Sequence, residues 1–451
     1  MKRLEIKKTY LKQWLETRID IYKQLHPQFV SFLVMVAAAG VTGAVAIAYA
    51  RLIEWATSIV VWMSIEHRWV FIAISPVLFI SAWALVRFFS PEAGGSGIPQ
   101  VLADIEISST DNTYRRNPWQ NLRLIAIKIL SSTLAVLGGG VVGREGPTIQ
   151  ISAAIFSMFD GLFKRYVSPR RSQQTLLIAG GGAGLAAAFN TPLGGVVFAI
   201  EELASQHFKN FKGALILSVV IAGYVTQSIL GPYLFIGHPT IGIVTLNDTA
   251  IGLAAAASIG IIGALFGKYL YVLAQKVRTA TNLQRLFLAA IVGLLVSSAC
   301  VFLGTDASGG GSLLIQKLLF SNIQQPNHGN IILAVWRILG LAATYLSGCA
   351  GGIFAPSLAA GASLGAVLAN ALNFDNQNLM IVMAMIAFLT GATRSPFTSF
   401  ILVFEMTDRQ AAIMPMMTAA LLAYVAAKIV DQHSFYEKMR DRLLNVKLEV
   451  N

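Results

Sequence analysis

Long apolar runs dominate this chain, and many of them are interrupted. Five, at 29–50, 69–89, 251–273, 286–303 and 411–429, carry almost no charge. A helix needs about 20 apolar residues to cross the hydrocarbon of a bilayer, so each predicts a spanning helix. Other apolar runs are short or broken by glycine, proline and acid, such as 191–203 and 396–405. The pattern predicts an all-α polytopic membrane protein built partly of discontinuous helices.

The breaks recur in order. "GGSGIPQV" (94–101), "GREGPT" (143–148) and "TPLGGVVFAIE" (191–201) are followed in the second half by "GGGSLLIQ" (309–316), "GIFAPS" (352–357) and "SPFTSFILVFE" (395–405). Gly143 and Gly352 are 209 residues apart, and Pro192 and Pro396 are 204 apart. Three features in one order at nearly one offset predict an internal duplication, with halves at about 29–235 and 248–430. Paired Gly/Pro-broken segments mark repeat-built transporters and point to a binding site near the membrane centre.

Three of the breaks share a local form: Gly95 to Pro99, Gly143 to Pro147 and Gly352 to Pro356. Proline suits the first turn of a helix, and a glycine before it lets the backbone turn tightly. Each predicts a helix beginning inside the protein, with unpaired N–H groups and a partial positive charge. In hydrocarbon those groups need a partner, and an anion is a natural one. A single such motif reads first as a packed turn; three in a repeated chain favour an anion site.

Glu145 sits in the middle break. A carboxylate at the centre of a membrane helix costs about 2.5–3.5 kcal/mol on insertion scales, part of which a helix N-terminus offsets. Glu145 is therefore an anion in an anion site. It can occupy the place of a transported anion and leave on protonation, acting as gate and proton carrier; the alternative is a capping carboxylate paired with a cation. Arg144 stands open between a structural partner and an attractor of anions.

Composition sharpens the class. The chain is 55% hydrophobic and 12% charged, with a mean hydropathy of +0.64, against about 25% charged residues in a soluble domain. The net charge of +12 does not point to nucleic acid. It gathers in tails and loops, at Lys2, Arg3, Lys7, Lys8, Arg115, Arg116, Lys164, Arg165, Arg170, Arg171, Arg440 and Arg442. That distribution predicts cytoplasmic termini by the positive-inside rule. Residues 1–28 then form a cytoplasmic N-terminal segment and 437–451 a short cytoplasmic tail, around a transport domain at 29–436. The first apolar run follows seven Lys/Arg and is too long for a signal-peptide core, so no cleavable leader is expected. Cys300 and Cys349 lie in apolar segments, and the six histidines are not at ligand spacing; neither a disulfide, a metal site nor a cofactor is expected.

At the broken segments the sequence resembles the CLC family of chloride channels and chloride/proton antiporters, of the prokaryotic type. "GSGIP", "GREGP" and "GGIFAP" stand in the family's order and spacing, joined by "GLAAAFNTPLGGVVFAIEE" (184–202) and "FEMTD" (404–408). The resemblance, from about residue 30 to Tyr436, implies an inverted-repeat helical fold and a homodimer with one pathway per subunit in a bacterial inner membrane. It implies that chloride is held by the Ser96 hydroxyl, the Tyr436 hydroxyl and the backbone N–H groups of Ile353 and Phe354. Neutral donors hold an anion without the grip of a full cation, so it can leave again. The residues alone favour Tyr436 as an interfacial anchor. Glu145 matches the external gating glutamate, and Glu202 the internal proton-transfer glutamate that family channels commonly replace. Glu201 aligns with Glu405 in the repeat, whereas Met406 stands opposite Glu202. Cys349-Ala350 departs from the family's commoner Ala-Pro and puts the rigidity of that loop in question. Fifteen residues follow Tyr436, too few for the paired CBS domains many relatives carry.

The expectation is thus a secondary antiporter of chloride against protons. The alternative is a passive voltage- or pH-gated chloride channel of the same fold. A membrane-embedded enzyme would need paired catalytic groups, and no Ser–His or Asp–Asp arrangement stands out, so no catalytic residues are assigned. A cation transporter would want converging acids and carbonyls, whereas these motifs present helix N-termini.

Overall fold

The computed structural model describes residues 2–110, 118–165, 172–204, 212–230, 236–320 and 329–450. Arg115, Arg116, Arg170, Arg171 and the expected end of the first half at 231–235 lie outside the described residues. The described chain is helical, without a strand. The first half holds α1 (Lys2–Glu66), α2 (Arg68–Ala84), α3 (Ile98–Thr110), α4 (Pro118–Leu137), α5 (Glu145–Leu162), α6 (Gln173–Phe189), α7 (Pro192–Phe198) and α8 (Lys212–Leu230). The second holds α9 (Leu246–Thr279), α10 (Asn282–Leu303), α11 (Ser312–Phe320), α12 (Ile331–Leu346), α13 (Phe354–Ala371), α14 (Gln377–Thr393), α15 (Pro396–Thr407) and α16 (Ile413–Val430), and α17 (Phe435–Val450) follows. Among the described residues, seven helices are long and apolar enough to cross a membrane.

The duplication is visible in the packing. Helix α1 packs on α6 and α8, and α9 packs on α14 and α16. Helix α5 packs on α6 as α13 packs on α14. A helix that is apolar all round belongs in an interior, and α6 and α14 are buried along their length. Both end in the left-handed region on a non-glycine residue, Asn190 and Arg394. Close helix approach rests on small residues: a side-chain carbon added at Gly260 would lie 2.8 Å from Ala423, and one at Gly361 would lie 2.6 Å from the Ala384 carbonyl.

Two expected boundaries move. The first span runs past residue 50 to Glu66 as one helix. Arg51 and Glu54 lie one turn apart and pair at 3.1 Å, so the charges that seemed to end the run decorate a continuing helix. Helix α9 begins before 251, because Thr245 and Asp248 form a reciprocal capping box, a strong start signal. The short segments behave as read: α7 gives way at once to a π-turn over Ala199–Leu203, and α15 is 12 residues long.

Candidate functional site

Helices α3, α5 and α13 begin where the sequence places their starts. The loops leading into them are joined by backbone alone. Gly143 and Gly352 exchange hydrogen bonds, N–H to carbonyl, at 2.9 and 2.8 Å. The bridge is antiparallel, so α5 and α13 leave it in opposite directions, as an inverted repeat requires. Around it, Gly95 N–H donates to the Cys349 carbonyl at 3.0 Å, and Gly309 N–H donates to the Gly140 carbonyl at 2.9 Å. These are one contact made twice, since Cys349 and Gly140 are also 209 residues apart. Gly95 and Gly309 share a φ of 63°, a conformation glycine adopts without strain. The Ala350 N–H donates to Ser131 Oγ at 3.1 Å and Gly351 N–H to the Gly95 carbonyl at 3.0 Å. The loop that departs from Ala-Pro is therefore held through an N–H that proline lacks.

Each half buries one cation beneath its loop. Lys128 Nζ donates to the carbonyls of Ala93 and Gly95 at 3.0 and 2.8 Å. Arg337 donates to those of Ser308 and Gly309 at 2.8 and 3.1 Å. Both side chains are fully buried, and the two positions are again 209 apart. Carbonyls are the acceptors that an ammonium or guanidinium needs in a dry interior. Sequence reading missed this pair. The signal was present: each is a cation flanked by apolar residues within a helix, at the repeat offset.

Ser96, Ile353, Phe354 and Tyr436 come together. Ser96 and Tyr436 are fully buried. Their hydroxyls approach each other, yet neither completes a hydrogen bond with a protein atom. Buried hydroxyls normally find partners, so the pair is left for something the protein itself does not supply. The Tyr436 ring stacks on Phe354 at 6.1 Å between centroids, and Phe198 meets Phe354 edge-on at 6.0 Å. Ile353 is the N-cap of α13 and Phe354 its first residue, where backbone N–H groups have no partner within the helix. Two neutral hydroxyls, free N–H groups and apolar walls suit a small, weakly hydrated anion; a metal would want carboxylate, imidazole or thiolate. Tyr436 is an interior group here, not an interfacial anchor.

Glu145 opens α5 and is buried. Its carboxylate lies among the backbone N–H groups of Ala355, Glu145 and Arg144, and Oε2 has no hydrogen-bond partner. It lines a cavity of about 560 Å³ together with Arg144, Asp306 and the 309–311 glycines. Arg144 Nη1 also lacks a partner. Ser96 and Tyr436 are not part of that lining.

Glu202 lies in the π-turn after α7. The Ser395 hydroxyl donates to its Oε2 at 2.5 Å. Its neighbour Glu201 points elsewhere, accepting from the N–H groups of Phe397 and Thr398 at 3.1 and 2.7 Å. The π-turn lets adjacent acids face different partners. Glu202 and Glu145 both act electrostatically on Tyr436. Ser395, a contact of Glu202, was not singled out from sequence.

The family model described as "Voltage gated chloride channel" matches residues 77–428. A protein of Citrobacter koseri named H(+)/Cl(-) exchange transporter ClcA is 30% identical over 430 residues, covering 90% of this chain and 86% of the relative. One of the same name from Salmonella paratyphi B is 29% identical over 441 residues, covering 92% and 89%. Among solved structures, a slow cyanobacterial Cl-/H+ antiporter superposes with a TM-score of 0.81 at 24% identity, over 92% of this chain and 97% of that one. A CLC-type fluoride/proton antiporter gives 0.75 at 21% identity, over 90% and 97%. At such identity these structures bear on the fold alone.

Proposed function

The chain belongs to the voltage-gated chloride channel family, the CLC family, and from that premise we propose that it exchanges chloride for protons across a membrane. In this reading chloride rests between the hydroxyls of Ser96 and Tyr436 and the N–H groups of Ile353 and Phe354. Glu145 is the external gate. Ionised, its carboxylate takes the place of an outer anion among the N–H groups of α5 and α13; protonated, it loses that attraction and swings toward the cavity it lines, the outer one in this reading, with its proton. Glu202 is the internal acid, loading protons from the opposite side. Arg144 draws anions into the outer cavity. The carrying observation is the pair of buried, unpartnered hydroxyls with Glu145 and Glu202 both acting on it. The names of the ClcA relatives support the same reading. Transport rather than catalysis is the function, chloride and protons are cargo, and no resident cofactor takes part. The protein works as a homodimer with one pathway per subunit, in a bacterial inner membrane, with both termini in the cytoplasm.

The test uses purified protein in sealed liposomes. A chloride gradient is imposed without a proton gradient and internal pH is followed, with protonophore and empty-liposome controls. Protons driven uphill by chloride are expected. Chloride flux without coupled protons makes the protein a channel, and no anion flux from folded protein removes the chloride assignment.

A further inference from the structure

A second cavity, of about 490 Å³, lies between α3, α12, α17 and the turn joining α9 to α10, and Glu145 is not among its walls. Its walls include Trp83, Val277 and Leu443, and three arginines line it: Arg87, Arg278 and Arg285. They come from three places, the π-turn after α2, the last turn of α9 and the first turn of α10. Arg87 and Arg278 both act on the Arg285 charge. Among the described residues, no ion pair joins any of the three to a carboxylate. Glu92 and Asp104 also line the cavity.

The three like charges repel one another, and Arg285, in the first turn of α10, reaches back to the carbonyl end of α9. Arg87 Nε donates to Asn282 Oδ1 at 3.0 Å, and Arg285 donates from Nε to the Ala280 carbonyl at 3.1 Å and from Nη2 to the Arg278 carbonyl, which orients two of the guanidinium groups. Beside the cavity, Phe88, Leu283 and Phe287 are each more than half exposed, as side chains facing acyl chains are. A cavity with apolar walls and an arginine rim, opening beside a lipid-facing surface, fits an amphiphile with an anionic head.

We propose that this cavity binds an anionic phospholipid, its phosphate on Arg87, Arg278 and Arg285 and its acyl chain against Trp83, Val277 and Leu443. The site touches the transport machinery from behind. Gly94 and Gly95, which precede Ser96, and Met439 and Leu443, on the helix that begins beside Tyr436, all line it. A bound lipid braces the two segments that carry the hydroxyls. The binding claim does not depend on which ion the protein carries.

The experiment is native mass spectrometry of the purified protein with added phosphatidylglycerol or phosphatidylcholine, paired with thermal unfolding in the same mixtures. Retention of phosphatidylglycerol over phosphatidylcholine, and a rise in unfolding temperature with the former only, are expected. Each arginine contributes about a fivefold factor in retention, so Arg278→Gln weakens it by that much and the Arg87→Gln/Arg278→Gln double variant further. Ala274→Trp fills the apolar wall, leaves every charge in place, and is expected to exclude the lipid equally; it keeps the test decisive if the arginine variants fold poorly. Arg51→Gln, in the cavity that Glu145 lines, is expected to change nothing. Equal retention of both lipids, an equal loss with Arg51→Gln, or full retention by Ala274→Trp overturns the proposal. Displacement of the lipid by millimolar inorganic phosphate also overturns it, assigning the arginines to a free anion instead.

Discussion

Glu201 and Glu405 cap each other's repeat. Glu201 follows α7 in the chain, yet its carboxylate accepts the N–H groups of Phe397 and Thr398 at the start of α15. Glu405, within α15, accepts those of Leu193 and Gly194 at the start of α7, at 3.2 and 2.8 Å. Two short helices that begin on proline each leave orphan donors, and each receives a carboxylate from the other. The exchange ties the halves together near the Glu202 carboxylate. It also separates the two acids of "IEEL" by role: one belongs to the repeat and has a twin, the other does not.

Removing either cap is expected to lower stability. A lost N-cap costs about 0.5–2 kcal/mol, and Glu405→Ala falls in that range. Glu201→Ala costs more, because the Thr398 hydroxyl also donates to Glu201 at 2.7 Å. Thermal unfolding in detergent orders the two variants. Equal unfolding temperatures for both variants and the parent would show that the caps contribute nothing.

The proposed roles of Glu145 and Glu202 separate on pH. Glu145→Gln mimics a permanently protonated gate, so chloride flux persists, coupled protons vanish and the flux loses its dependence on external pH. Glu202→Gln also abolishes coupled protons, but the gate still titrates, so flux stays sensitive to external pH. Paired chloride-electrode and pH recordings on liposomes read both. Full-rate proton coupling in Glu145→Gln would remove its role, and in Glu202→Gln would leave that residue a structural acid.

Lys128 and Arg337 invite one substitution made twice. Lys128→Met keeps the length of the side chain, strands the Ala93 carbonyl and leaves that of Gly95 with the Gly351 N–H alone. Arg337→Met strands those of Ser308 and Gly309. A hydrogen bond to a charged group contributes about 1.5–3 kcal/mol, so each variant is expected to unfold earlier by an amount of that order. The effects on anion binding differ, because only the Lys128 loop leads into Ser96. Chloride affinity by isothermal titration is expected to fall in Lys128→Met and to hold in folded Arg337→Met.

Much of this was legible in the chain because it depends on local backbone chemistry. Gly-x-x-x-Pro announces a helix start wherever it falls, so α3, α5 and α13 and the duplication could be read directly. The convergence of Ser96 with Tyr436 entered through family resemblance, since 340 residues separate them and no local pattern links them. Cross-repeat contacts were beyond reach for a similar reason: the alignment of Glu201 with Glu405 suggested a shared role, but only the fold shows that each reaches the other's helix. The extension of α1 was hidden by Arg51 and Glu54, which interrupt an apolar run without interrupting a helix. The π-turn at Ala199–Leu203 leaves no mark in the hydrophobic period because it lasts a single turn.

The tightest test of the site changes no donor. Gly146, in the first turn of α5, has ordinary helical backbone, where alanine is normally favoured by about 1 kcal/mol. A side-chain carbon there would lie 2.7 Å from the Ser96 carbonyl oxygen and closer still to Ser96 Oγ. Neither α5 nor the Ser96 loop has room to give, since Gly352 packs at 3.3 Å on the same point. Gly146→Ala is therefore expected to displace Ser96 and weaken chloride binding by about tenfold, the equivalent of roughly 1.4 kcal/mol, with every proposed donor still present. Gly40→Ala supplies the contrast: nothing lies within 4 Å of the added carbon, so that variant is expected to gain stability and bind as the parent does. Isothermal titration with chloride and thermal unfolding on the same samples separate the effects. If Gly146→Ala binds chloride as tightly as Gly40→Ala, the position of the Ser96 hydroxyl does not control the anion, and the site must rest on Tyr436 and the N–H groups of α13.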